Sequence, residues 1–346
     1  FKQKTAYEIG VRLVGSEMCI RDSTLPDDFY SSKYFIDKTI EFVASNEDSD
    51  QPFFAYIPFQ AVHIPVQAPK EYSDKYAGVY DEGWSVMREK RRQTAVALGV
   101  IPKESEIKVT PGTIDWSSMT DEQRRYDARR MEVYAGMVDA MDFHIGRLMD
   151  YLKSIDEYEN TVFIFTSDNG AASSPLLDSD GNSVLKNWFD RVGYNTDYES
   201  LGEKGSWVAI GPGNASIANS PLLYYKFHAN EGGLRVPLII SGPGINRHGE
   251  ITDEFTFVTD LAPTILNLTG TTEHRGKFNG REVEPIVGVS FTDYLNGAAN
   301  QIHQPSESIG YELGGSNALF KGDYKIVINK IEQNEAEWHL YNIKTD

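Results

Sequence analysis

Three short apolar runs, each ending abruptly in a polar loop, mark this chain at 52–57, 162–165 and 236–241. Apolar and polar residues do not alternate within the run 162–165, which indicates a strand buried on both faces of a sheet. We therefore predict a strand at each of the three places. In open α/β sheets the ligand site lies just past the carboxyl ends of the strands, so the loops that follow are the first candidates for chemistry.

Helical periodicity is strongest after Thr120. Thr120 and Gln123 have the spacing of a capping box, and apolar residues then recur at steps of three and four as far as Leu152. A helix-like spacing also covers 28–44, and 67–112 reads as a long insertion with short helices. After residue 300, short apolar runs alternate with glycine-containing turns, which predicts an antiparallel meander at 308–313, 318–320, 324–328 and 338–341.

Composition excludes several classes of protein. The 346 residues include 33 Lys and Arg against 51 Asp and Glu, a net charge of −18, which argues against nucleic acid or an anionic membrane as the main partner. No apolar run approaches the roughly 18 residues of a membrane span. The single cysteine, Cys19, excludes an internal disulfide framework.

Polar side chains with metal-binding chemistry follow two of the predicted strands. Asp168 and Asn169 come directly after the run 162–165 and supply two hard oxygen donors, which suit Ca²⁺ or Mg²⁺. The alternative is a simple turn, since Asp, Asn and Gly all favour turns. His63 follows the run 52–57 between prolines and apolar residues, either as a site residue or as a packed histidine.

A third cluster precedes the run 236–241. Lys226, His228 and Arg235 are close together there, and Gly232 and Gly233 allow the backbone to pass close to another group. The alternative for Lys226 is a solvated surface lysine.

The polar segment 173–219 is the predicted substrate rim. Four of its aromatic residues either stack on a substrate or pack the rim against the body, namely Trp188, Tyr194, Tyr198 and Trp207.

Taken together and in this order, the segments resemble the sulfatase family, and bacterial arylsulfatases most of all. The matching pieces are 53–56 leading to His63, then 166–170, and then Lys226 followed by 231–237. The resemblance extends from about Thr24 to Asp346. It implies an α/β fold of the alkaline-phosphatase-like type, with a mostly parallel central sheet and a small C-terminal antiparallel sheet.

The same resemblance implies hydrolysis of a sulfate ester, of a small molecule or of a glycan. It assigns Asp168 and Asn169 as ligands of Ca²⁺, with Mg²⁺ less favoured, and His63 and Lys226 as catalytic residues that contact the sulfate group. His228 is a further substrate-binding candidate by its position alone. In this family the nucleophile is a formylglycine, made from the cysteine of a Cys-x-Pro-Ser-Arg motif by a formylglycine-generating enzyme. A periplasmic or secreted location is also implied.

The chain departs from the family pattern in one essential respect. Cys19 lacks the proline and serine of the nucleophile motif, and residues 1–23 resemble a translated library adapter rather than the family. We therefore expect a non-native segment at 1–23, part of a sulfatase domain at 24–299, and the start of a truncated C-terminal subdomain at 300–346. A fragment of this kind, without its nucleophile segment, is expected to be inactive alone.

Two other functions remain open on the sequence. A phosphate-ester hydrolase of the same superfold would use two metal ions with more His and Asp ligands, and no such cluster lies near Asp168. A catalytically inactive binding protein is the other alternative.

Overall fold

The computed structural model describes residues 28–46, 51–174, 189–271, 276–329 and 337–345. The segment 1–23 with Cys19, and Trp188 of the predicted rim, lie outside these residues. The α-helices whose bounds both lie within the described part are α1 (Ser31–Ala44), α2 (Lys70–Ser73), α3 (Gly83–Ala97), α4 (Asp121–Ser154), α5 (Gly211–Ala218), α6 (Glu231–Leu234), α7 (Leu261–Leu268) and α8 (Thr292–Leu295). Short 3-10 helices occupy Asp74–Tyr76, Trp116–Ser118, Tyr158–Asn160, Tyr198–Ser200 and Val258–Asp260.

The strands of the described residues form three separate sheets. They are β1 (Phe163–Thr166), β2 (Leu238–Ser241), β3 (Lys277–Phe278), β4 (Arg281–Glu282), β5 (Ser308–Leu313), β6 (Ser316–Lys321), β7 (Tyr324–Ile328) and β8 (His339–Asn342). Strands β1 and β2 pair in the body of the molecule, β3 and β4 form a small hairpin, and β5 to β8 form a four-stranded sheet.

Helix α4 begins where the sequence predicts it. Thr120 Oγ1 accepts the backbone N–H of Gln123 at 3.2 Å, and the Gln123 side chain accepts the backbone N–H of Thr120 at 2.9 Å. This reciprocal capping box satisfies two N–H groups that the first turn of a helix cannot bond internally, and the predicted start is confirmed. Among the described helices, none combines the length and apolar character that crossing a bilayer requires.

The apolar stripe of α4 is the core of the body. Leu148 and Leu152 pack with Ile36 and Val43 of α1. Two further clusters form along the same helix, one joining Met131 to Trp84 and Ile217, the other joining Val133 to Val66 and Val208. Burying a side chain of this size stabilises the fold by roughly 1.5–3 kcal/mol, so these three clusters fix α1, α3 and α5 against α4.

The sheet of the body corrects one expectation. Strands β1 and β2 pair antiparallel, with Phe163 opposite Ser241 and Thr166 opposite Leu238. The described residues therefore do not form the mostly parallel central sheet that we expected. The reason lies at the end of β1, where Thr166 Oγ1 donates to the carbonyl oxygen of Pro237 at 3.0 Å. The chain enters β2 at the same end at which it leaves β1, so the two strands must run in opposite directions.

The run 52–57 does not form the predicted strand. No backbone hydrogen bond in the described ranges joins it to a neighbouring strand, and Phe54 and Tyr56 are 74% and 81% exposed. Only Ile57 packs onto the cluster between α1 and α4. The expectation that β1 is buried on both faces is also wrong, since Phe163 to Phe165 are only partly buried. An apolar run predicts extended backbone, whereas a strand also needs a partner within hydrogen-bonding distance.

The C-terminal meander is confirmed. Strands β5 to β8 pair antiparallel in sequence order, and the predicted runs differ from the observed strands by a few residues at the ends. The inner face of this sheet presents Ala318, Phe320 and Val327 to Ala229, a residue of the body. The small sheet is thereby anchored beside the loop that carries Lys226.

A partly buried histidine between two carboxylates links residues after 300 to the body. His303 donates from Nε2 to Asp260 Oδ2 at 2.8 Å and from Nδ1 to Glu307 Oε2 at 2.9 Å. Burial disfavours the charged imidazolium, but the hydrogen bonds to the two carboxylates outweigh it, so the pKa of His303 is raised. Asp260 also accepts the backbone N–H groups of Phe257 and Val289, which fixes its position.

This arrangement predicts a pH-dependent stability. A raised folded-state pKa means that the contribution of His303 is complete below its ordinary pKa of about 6.5 and is lost as the pH rises through the folded value. His303→Gln is expected to remove on the order of 1 kcal/mol of unfolding free energy at pH 6 and less at pH 8.5, measured by urea denaturation. His248→Gln, at an exposed histidine, is the control. An equal loss at both pH values would contradict this role.

Candidate active site

The loop that carries Asp168 and Asn169 is fixed by backbone contacts on both sides. The Gly170 N–H donates to the carbonyl oxygen of Gly233 at 3.0 Å. The Ala171 N–H donates to Asn219 Oδ1 at 3.0 Å, and the Ala171 carbonyl accepts the N–H of Lys226, also at 3.0 Å. The motif after β1 and the motif before β2 are therefore bonded directly to each other.

Glycine is required where these loops cross. A Cβ atom on Gly170 would lie 1.8 Å from the carbonyl oxygen of Gly232, and one on Gly232 would lie 2.1 Å from that of Tyr224. One on Gly233 would lie 2.0 Å from the carbonyl oxygen of His228. The predicted close backbone approach at Gly232 and Gly233 is confirmed. Such contacts leave the two loops almost no freedom to move relative to each other.

The loop around Lys226 has an unusual backbone. Tyr224 and Phe227 both adopt positive φ angles, of 65° and 77°, which side-chain-bearing residues rarely do. Strain of this kind persists only when the surrounding contacts enforce it, and it is concentrated at functional sites. Lys226 is partly buried, its Nζ lies 5.6 Å from the centre of the Phe227 ring, and it forms no ion pair among the described residues. Its ammonium group can therefore receive an anion.

His63 is held at the surface of the cavity by its own turn. The backbone N–H of His63 donates to the carbonyl oxygen of Gln60 at 2.8 Å, and Nδ1 lies 2.9 Å from the carbonyl oxygen of Ile64. When Nδ1 carries the proton and donates it to the Ile64 carbonyl oxygen, Nε2 has no hydrogen-bond partner among the described residues. The side chain is exposed, unlike a packed core histidine, so Nε2 can reach a ligand.

A large open cavity of about 3800 Å³ extends along much of the body. His63, Asp168, Asn169 and Lys226 all line it. The loops that carry them also share one hydrophobic cluster, in which Val62, Ala171 and Tyr225 pack on the same buried residues. Exposed Arg235 lines this cavity too, and other basic and acidic residues occur elsewhere in its lining.

His228 has a different environment. It is buried, its ring stacks on Tyr224 with 4.4 Å between ring centres, and Tyr225 contacts it edge-on at 5.1 Å. It is not among the residues that line the cavity. The assignment of His228 to substrate binding is therefore not supported by its position. The ring packs against the strained loop and stabilises it. The position of His228 near Lys226 in the sequence could not show whether the ring packs or contacts a ligand.

The predicted rim is mostly self-packed in its described part. Tyr194 and Trp207 meet edge-on at 5.3 Å, and Phe189 packs on both. Tyr198 lies under the guanidinium of Arg125 at 5.5 Å. Tyr194 and Trp207 therefore pack within the segment, as in the second of the two alternatives, and do not form an open surface on which a substrate could stack.

The two predicted metal ligands have suitable chemistry, but they are too few to hold a Ca²⁺ ion by themselves. Asp168 and Asn169 offer a carboxylate and an amide oxygen, which suit Ca²⁺, an ion that takes about six to eight oxygen ligands. No group of three or more His, Cys, Asp or Glu side chains with metal-binding geometry occurs within the described ranges. These residues alone do not complete a Ca²⁺ site.

Two contacts at the site were not anticipated from the sequence. Asn219 bridges the two central loops, accepting from Ala171 and donating to the carbonyl oxygen of Tyr224 at 3.2 Å. Glu231 forms an ion pair with Lys325 of the C-terminal sheet at 2.7 Å. The sequence around Asn219 and Lys325 does not mark either residue, because Ala171 and Glu231, to which they bond, are far away in the chain.

Comparison with known proteins agrees with this architecture. The chain is 40% identical over 325 residues to an uncharacterised sulfatase of Schizosaccharomyces pombe, covering 92% of this chain and 57% of that protein. It is 34% identical over 270 residues to an arylsulfatase of Klebsiella aerogenes, covering 78% of this chain and 57% of that protein. The chain thus spans little more than half the length of these curated relatives.

A solved structure gives the fold independently. The crystal structure of Ps i-CgsB in complex with k-i-k-neocarrahexaose superimposes with a TM-score of 0.57 at 20% identity, covering 94% of this chain and 51% of that chain. The alkaline-phosphatase-like α/β fold with a small C-terminal antiparallel sheet is confirmed.

The family model described as Sulfatase matches residues 4–271. The match starts inside the segment 1–23, and the domain division at residue 24 stays a prediction. Members of this family are hydrolases of sulfuric esters, which generally use a metal ion and a formylglycine. Since the match covers well over half of the 346 residues, the chain belongs to the sulfatase family.

Proposed function

We propose that the protein to which this chain belongs hydrolyses sulfate esters at the cavity lined by His63, Asp168, Asn169 and Lys226. The observation that carries the proposal is the direct hydrogen bond between the Lys226 N–H and the Ala171 carbonyl, which holds the two central motifs together at one cavity that His63 also lines. Family membership supports the reaction type.

The chemistry follows from the charge of the substrate. The Lys226 ammonium would neutralise the non-bridging sulfate oxygens, an interaction that strengthens as charge develops in the transition state. The S–O bond to the leaving group breaks as the nucleophile bonds to sulfur, and His63 Nε2 would deliver a proton to the departing oxygen. Formylglycine supplies the nucleophile in this family, and none of the described residues replaces it.

The finer assignments are part of the same proposal. Asp168 and Asn169 would be two ligands of Ca²⁺, with the remaining oxygens supplied from outside the described residues. A formylglycine-generating enzyme would be needed as a partner, and a periplasmic or secreted location is proposed. The substrate would be an aryl or glycan sulfate ester, supported by the arylsulfatase name of the Klebsiella relative and the carbohydrate bound to Ps i-CgsB.

The test compares the chain alone with a fusion. The fusion adds the part of the Klebsiella relative that precedes its match to this chain, and it is co-expressed with a formylglycine-generating enzyme. The chain alone is expected to release no 4-nitrophenol from 4-nitrophenyl sulfate with Ca²⁺ present, and the fusion is expected to release it. A fusion whose nucleophile cysteine is replaced by alanine is the control.

Two results would contradict the proposal. Full turnover by the chain alone would show that the nucleophile lies within it. A fusion that melts cooperatively but hydrolyses 4-nitrophenyl phosphate faster than the sulfate would point to the phosphate-ester reaction instead.

A further inference from the structure

A deeply buried lysine lies behind the candidate site. Lys325 of β7 is 1% exposed, and its Nζ donates to Glu231 Oε1 at 2.7 Å while lying 4.7 Å from the centre of the Phe320 ring. Burial lowers the pKa of Lys325, although the neighbouring Glu231 carboxylate favours the charged form. Lysine is almost never buried to this degree without a partner, so the pair with Glu231 is a specific feature of this fold.

Glu231 stands between this lysine and the cavity. Its side chain is 25% exposed and lines the same cavity as Lys226 and Asp168. A lone carboxylate at that position would repel an anionic ester and oppose the effect of Lys226. The ammonium of Lys325 supplies the compensating charge from the protein side, where it takes no room from a ligand.

A second side chain of the same sheet region holds the same loop. Asn329 Oδ1 accepts the backbone N–H of Ala229 at 2.8 Å, and Asn329 Nδ2 donates to Asn230 Oδ1 at 2.5 Å. Ala229 is fully buried against Phe320 and Val327 of the sheet. Residues 229–231 are therefore fixed by two side chains and one apolar contact, all from the C-terminal sheet and its exit.

We propose that Lys325 and Asn329 are positioning residues of the anion site. The C-terminal sheet holds the loop of Lys226 in its strained conformation, and Lys325 cancels the negative charge of Glu231 at the cavity wall. Only the identity of the anion rests on the proposed function. The loop is bonded to the Asp168 motif through Gly233 and Gly170, so the effect of the sheet reaches both motifs.

Hydrogen exchange on the 346-residue chain tests the positioning role. Lys325→Met keeps the length and fills the buried space with an apolar side chain, and we expect amides in 226–234 to exchange at least tenfold faster. Lys321→Met, at an exposed lysine of the same sheet, is the matched control and should leave this exchange unchanged. Unchanged exchange in Lys325→Met would overturn the positioning role.

Binding of inorganic sulfate, measured by titration calorimetry, tests the charge role. Lys325→Met is expected to weaken sulfate binding about tenfold, because it leaves the Glu231 charge uncompensated. Lys325→Met combined with Glu231→Gln removes both charges and should recover affinity to within about threefold of the parent. A structural role alone would make the double variant as weak as the single one, and that result would overturn the charge role.

The two measurements separate this inference from the proposed function. A parent chain that binds no sulfate would count against the sulfate-ester function and against charge compensation for sulfate, while the exchange data would still decide whether the sheet positions the loop. Faster exchange in Lys325→Met but not in Lys321→Met, together with recovery of sulfate binding in the double variant, is the result expected.

Discussion

Replacing Lys226 by alanine is expected to lower kcat for 4-nitrophenyl sulfate by about a hundredfold or more in the active fusion, the usual cost of losing one preorganised charge. Lys226 is partly buried at the cavity, and the described residues offer it no carboxylate partner, so its charge is available to the substrate. A preorganised charge acts on the transition state more than on the bound substrate, so kcat should fall more than KM rises.

The matched control for this lysine is Lys321→Ala, at an exposed lysine on the C-terminal sheet. Both variants are compared by steady-state kinetics after their melting temperatures have been shown to match the parent. A Lys226→Ala protein that keeps full kcat would remove this residue from the reaction, and a rise in KM alone would restrict it to ground-state binding.

A second large effect is expected at His63. His63→Ala in the same fusion should lower kcat by about a hundredfold for phenyl sulfate, because the leaving oxygen then departs without a proton donor. The loss should be smaller for 4-nitrophenyl sulfate, whose leaving group is a weaker base and depends less on protonation. Comparing the two substrates therefore measures proton donation separately from binding.

Another exposed histidine provides the control. His248→Ala should leave both rates unchanged, because His248 is exposed and does not line the cavity. An equal loss for the two substrates in His63→Ala would argue against proton transfer and for a contact with the sulfate group. Full activity of His63→Ala on both would remove the residue from the mechanism.

Local patterns determined the parts of the fold that depend on local contacts. The start of α4 follows from Thr120 and Gln123, which are three residues apart, and its buried face follows from a period that any helix imposes. The meander β5 to β8 follows from short runs separated by turns, since antiparallel neighbours need only a tight connection.

Pairing between distant segments was decided only in three dimensions. The run 52–57 has the composition of a strand but has no strand partner among the described residues, and β1 pairs antiparallel with β2 although 71 residues separate Thr166 from Pro237 at their joint. A strand's partner and direction depend on where the chain returns, and single-residue preferences carry no information about that return.

For the site, the sequence by itself named His63, Asp168, Asn169 and Lys226, because loops after apolar runs carry their chemistry in residue type. The tertiary structure placed all four at one cavity and turned His228 inward against Tyr224. It also brought in Asn219 and Lys325, whose contributions come from hydrogen bonds to residues 48 and 94 positions away. Residue type sets which chemistry a side chain can perform, and burial and distance, which only folding creates, decide whether it performs that chemistry here.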